Sequence, residues 1–152
     1  MPADFGVTID VNKTSSFTLS TSSDMNMAPG ENTITFSIEN EGNFEDTFTI
    51  SSTSLNGWFS DVDPVTVAFE GTFDFDVTVI VPHVAAGIMD AWNVSVVAAN
   101  DDTVDNSVSG NVIVDTVTGH TLTGDTDLSG NPGDTVTYHF TILNTGNAQE
   151  KM

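Results

Sequence analysis

Two stretches of this chain are spelled alike. Pro29–Asn43 reads PGENTITFSIENEGN, and Pro132–Asn147 reads PGDTVTYHFTILNTGN. The Pro-Gly pairs lie 103 residues apart and the Asn-x-Gly-Asn turns lie 104 apart, so one residue is gained between them. Upstream, Phe17–Ser20 answers His120–Thr123, again at 103. A solenoid unit runs about 20–50 residues, whereas a small β-sandwich runs about 100. The spacing therefore predicts one complete module over residues 1–117 and the N-terminal part of a second repeat over 118–152.

Alternation with period 2 fills the chain, with Thr, Val, Ile and Phe dominating it, and helical periodicity is nearly absent. The pattern predicts an all-β, antiparallel sandwich with one face of each sheet buried. Strands are expected at residues 5–11 with 16–20 (a broken first strand), then 32–40, 46–52, 65–69, 72–81, 91–99 and 107–115. Ile34, Phe36 and Ile38 point inward, as do Val65, Val67 and Phe69. So do Phe73, Phe75, Val77 and Val79, and then Trp92, Val94, Val96 and Ala98. Trp58 is the expected central aromatic, and Met25 and Met27 the plugs at one end of the core. In the second copy Tyr138, Phe140 and Ile142 match Ile34, Phe36 and Ile38. Thr116–Thr118 joins the copies without a flexible Gly/Ser linker, which predicts a fixed joint. Alone, the second copy supplies two or three strands with no opposing sheet, a marginal arrangement in water.

Charge narrows the partners. There are 22 acids against 2 bases, a net charge of −20, and the bases are Lys13 and Lys151. Nucleic acid is excluded as a direct partner, because phosphate binding needs Lys or Arg. Anionic membrane surfaces are excluded on the same ground. Such charge serves solubility and predicts stabilisation by salt. Cysteine is absent, which leaves the redox compartment undecided. There is no apolar run of about 18 residues for a membrane span. The opening MPADFG has neither the basic nor the apolar region of a signal peptide. The unfinished second copy reads as a piece cut from something longer.

The survey for chemistry finds no catalytic constellation. His83, His120 and His139 have no metal-ligand spacing, and no Gly-x-Ser-x-Gly elbow is present. Carboxylate pairs at Asp61/Asp63, Asp74/Asp76 and Asp125/Asp127 lie on strand faces or turns rather than in an aromatic cleft. Calcium is the one cofactor the residues suggest. Asn100, Asp101, Asp102 and Asp105 put four oxygen-bearing side chains into six residues of loop, though without EF-hand spacing. The plainer reading of that cluster is a solvated turn. Two sequons, at Asn12 and Asn93, could accept glycans.

The residues also resemble a family. Pro29-Gly30-Glu31, Asn40-Glu41-Gly42-Asn43, Gly57-Trp58, Val81-Pro82, Ala86-Gly87 and Asp90 follow in the order found in immunoglobulin-like modules of prokaryotic surface proteins. These are the groups called NEW3, first noted beside glycosidase domains, and CARDB, the cell-adhesion-related domain in bacteria. One departure is Glu70-Gly71, where the family often has Pro-Gly. The resemblance implies an immunoglobulin-like sandwich, secretion or display at the cell surface, and tandem arrays acting as stalks, adhesins or companions of enzymes. It implies no catalytic residue. The first expectation is therefore a non-enzymatic spacer module whose partners are neighbouring repeats of the same protein. The alternative is a binding or assembly module. In one form it grips a surface glycan or protein receptor with calcium. In the other it builds a filament by strand addition through residues 118–152.

Overall fold

The computed structural model describes residues 1, 6–21 and 26–151. Among these residues ten strands run in chain order: β1 (Phe17–Thr21), β2 (Asn26–Met27), β3 (Gly30–Asn40), β4 (Asp46–Ser54), β5 (Val65–Val67), β6 (Thr72–Val81), β7 (Met89–Ala98), β8 (Asp105–Val114), β9 (His120–Gly124) and β10 (Phe140–Asn144). The first eight close an immunoglobulin-like sandwich of two sheets, ordered β1-β3-β6 and β2-β8-β7-β4-β5. The last two pair with each other as the opening of a second copy. Among the described residues no helix is long and apolar enough to cross a membrane.

Alternation places the core. Ile34, Phe36 and Ile38 of β3 face Phe48, Val94, Val96, Val112 and Val114 of the other sheet, and all are almost fully buried. Burying each such side chain stabilises the fold by about 1.5–3 kcal/mol. Trp92, on the middle strand of the larger sheet, occupies the aromatic centre. Its ring lies 5.8 Å edge-on from Phe36 and 5.6 Å from Phe59 in a stack. Trp58 is buried as well, but it sits where the chain crosses between sheets. There its carbonyl accepts from Ile80 N–H (2.9 Å), and Phe59 bridges to Val79. The centre expected at Trp58 thus belongs to Trp92. The fully buried Asp90 accepts the Asn56 N–H at 2.7 Å and so fixes the turn before Trp58.

Some expectations need correction. Phe69 and Phe73 are exposed rather than buried. β5 stops at Val67, and the chain then turns with Gly71 N–H on the Ala68 carbonyl and Glu70 at φ 56°. Phe73 lies on the inward parity of β6, beyond the cover of the facing sheet. Residues 6–11 form no strand; the first strand is Phe17–Thr21 alone. Met27 is buried, while Met25 and Phe5 lie outside the described residues. Tyr138, Phe140 and Ile142, the counterparts of Ile34, Phe36 and Ile38, are exposed, as a copy without an opposing sheet leaves them.

Candidate functional site

The most elaborate polar arrangement is built on the repeated Asn-x-Gly-Asn turn. Asn40 ends β3 with its carboxamide buried. Its Nδ2 donates to the carbonyls of Phe44 (2.9 Å) and Val67 (3.0 Å), and its Oδ1 accepts Gly42 N–H at 2.9 Å. Both ends of the amide are satisfied, as burial requires. A Cβ on Gly42 would come within 2.6 Å of the Thr14 carbonyl oxygen, so only glycine lets the incoming chain approach. Asn43 then reaches across to that incoming chain. Its Oδ1 accepts Thr14 N–H (2.8 Å), its Nδ2 donates to the Asn12 carbonyl (2.8 Å), and its own N–H donates to the Thr14 carbonyl (3.2 Å). The side-chain amide stands in for a strand neighbour and clamps residues 12–14. Asp46 adds a tie, accepting the Ser15 hydroxyl at 2.6 Å.

The second copy repeats the three bonds of the clamp at Asn147 and two of those at Asn144. Asn144 Nδ2 donates to the Ala148 carbonyl (2.8 Å), and its Oδ1 accepts Gly146 N–H (2.9 Å). Asn147 Oδ1 accepts Val117 N–H, its Nδ2 donates to the Asp115 carbonyl, both at 2.7 Å, and its N–H donates to the Val117 carbonyl (2.9 Å). Glu150, in the place of Asp46, accepts Gly119 N–H at 2.9 Å. Gly146 again lies against the clamped carbonyl, here of Val117. The strand registers agree too: His120 pairs with Asn144 as Phe17 pairs with Asn40. What Asn147 holds is the segment leaving β8, so the clamp sits at the joint between the copies. Its carbonyl accepts Ala86 N–H at 3.0 Å from the connection after β6. That connection is pinned to β8 by Gly87 N–H on the Val114 carbonyl (2.8 Å), with Gly87 at φ 83°. Asn147 is buried there, though its strand partners are exposed. The sequence marks these residues as turn formers. Their clamping role shows in it only as the coupling of the Asn-x-Gly-Asn motif to a second copy.

The acidic cluster occupies a hairpin. Asn100, Asp101 and Asp102 form the hairpin turn between β7 and β8, and Asp105 opens β8. Asp101 Oδ1 is occupied by the Thr103 hydroxyl (2.6 Å) and Thr103 N–H (3.1 Å). Those two bonds, the hydroxyl first, hold its carboxyl below the usual carboxylate range. Among the described residues no three acidic, imidazole or thiol side chains gather as a metal-binding group. His139 Nδ1 lies 3.4 Å from Asp125 Oδ2 on the exposed second copy, and His83 is exposed on the connection after β6. Of the sequons, Asn12 is exposed in the clamped segment, and Asn93 is half-buried on the outer face of β7 between Thr53 and Ser109.

No protein-family model matches the chain, and no curated protein matches it. Among solved structures, WR4, a C. elegans MSP family member, is similar at 16% identity and a TM-score of 0.36, covering 59% of this chain and 85% of that one.

Proposed function

We propose that this chain is a non-enzymatic spacer from a tandem array of immunoglobulin-like sandwiches at the cell surface, in which each module is fastened to the one before it. The carrying observation is the joint. The Asn144–Asn147 turn of the second copy holds the chain leaving the first module by three hydrogen bonds from one asparagine, and takes a fourth from Ala86. A clamp fixes direction between modules and performs no chemistry. The resemblance to surface-protein modules supports the location, and the net charge of −20 supports a chain kept from associating with its like.

A second reading has its own support. The β9–β10 pair exposes Leu122, Phe140 and Ile142 on one face, beside strand edges to which a strand from another subunit could add. Light scattering after size exclusion, with calcium and with chelator, separates the readings. A monomer in both conditions is expected of the spacer. Calcium-independent dimers or polymers would favour assembly through residues 118–152. Association only with calcium would favour adhesion through the acidic turns.

A further inference from the structure

The clamp around Asn43 grips residues 12–14 in the same way that Asn147 grips Asp115–Val117. In the second case the gripped segment leaves the closing strand of a finished sandwich. The offset of 103 sets Val7, Ile9 and Val11 against Gly110, Val112 and Val114 of that strand. Val112 and Val114 are inward and buried, whereas Val7, Ile9 and Val11 are 81%, 80% and 78% exposed and belong to no strand. The spelling Val-Thr-Ile-Asp-Val is a half-buried strand's alternation without a sheet. The place that its counterpart fills in this module is taken. β3 already lies between β1 and β6, and β8 between β2 and β7.

We infer that Val7–Val11 is the closing strand of another sandwich of the same kind joined ahead, and that the turn Asn40–Asn43 is the docking face for it. That sandwich's connection equivalent to Pro82–Ile88 would donate an N–H to the Asn43 carbonyl, as Ala86 does to Asn147. The inference rests on the tandem-array reading. The joint within this chain is the same interface already occupied, which says what the occupant is. A second copy of this chain does not fit. Its own Ala86 is engaged by Asn147, and the slot beside its β7 is filled by β8 from Met89↔Ile113 to Val97↔Asp105. One of the two lysines also marks the face: Lys13 Nζ lies 4.7 Å over the Phe44 ring, relieving negative charge where two acidic modules would meet.

The test extends the full chain. Residues 12–110 are placed ahead of Thr8, so that Thr8–Val11 completes the closing strand of the added sandwich in register. A control keeps all of β8, with residues 12–117 placed ahead of Ser15. A second extension shifts the register by starting at Ile9. Amide hydrogen exchange is followed by NMR, with the unextended chain as baseline. The expected result is slowing of the Thr8–Val11 amides by about 100-fold or more in the in-register protein alone, as for strands of a folded core. If the control folds while Thr8–Val11 still exchange at the baseline rate, or are protected equally in the shifted register, the inference is overturned. If even the control's added sandwich fails to protect its own closing strand and joint, the tandem-array reading fails and the inference falls with it.

Discussion

Asn40 and Asn144 share two bonds in different surroundings, and the surroundings set their worth. Asn40 is buried and makes an additional bond to Val67 that the second copy has no strand to supply. Asn40→Ala leaves buried partners unpaired and is expected to cost about 2–4 kcal/mol, read from the urea midpoint of the full chain. Asn144→Ala, whose partners meet water, is expected to change it by less than about 0.5 kcal/mol. Equal effects would show that burial does not decide the value of the amide. The sequence announced a turn at both places, since Asn and Gly are turn residues in any context. It did not announce the clamp, because the partners of Asn43 lie 29 and 31 positions away. For Asp101 the limit is of the same kind: the letters show oxygen-bearing side chains crowded into one loop, but not that Thr103 bonds one of those oxygens.

Strands were the most legible elements. The expected 72–81 coincides with β6, and the ends of β3, β4, β7 and β8 differ by two residues at most. Within the observed strands parity assigns the face of a side chain, but it does not say how far the opposite sheet extends. Phe73 therefore points inward and stays exposed, and Phe140 repeats the lesson on the second copy. The pair gives a test. Phe36 is fully buried against Phe75 and Trp92, and Phe36→Ala is expected to cost about 3–5 kcal/mol in the thermal unfolding of the full chain. Its counterpart Phe140 is 62% exposed, and Phe140→Ala is expected to change stability by less than about 0.5 kcal/mol. A loss at Phe140 approaching that at Phe36 would mean that the open face is covered in solution. Residues 6–11 alternate as a strand does and yet form none in this structure, because alternation names a strand without naming its sheet.

For the whole molecule, like charge is the dominant long-range term. With 22 acids and 2 bases, few ion pairs can form, and the native state carries the repulsion in a smaller volume than the unfolded chain. Raising ionic strength from about 0.01 M to about 0.15 M shortens the screening length from about 30 Å to about 8 Å. The melting temperature is expected to rise over that range in sodium chloride; a flat or falling Tm in calorimetry would sink the argument. The pairing of β2 with β8 carries a different consequence. These two strands, Asn26–Met27 and Ile113–Val114, run side by side in the same direction, one near the start of the module and one at its end. A pull on the two ends of the chain drags such strands past each other lengthwise, so the bonds between them bear tension together instead of opening one at a time. Asn43 and Asn147 stand where that tension enters and leaves. A string of these modules would behave as a stiff tether that holds under stretching and then gives way one module at a time.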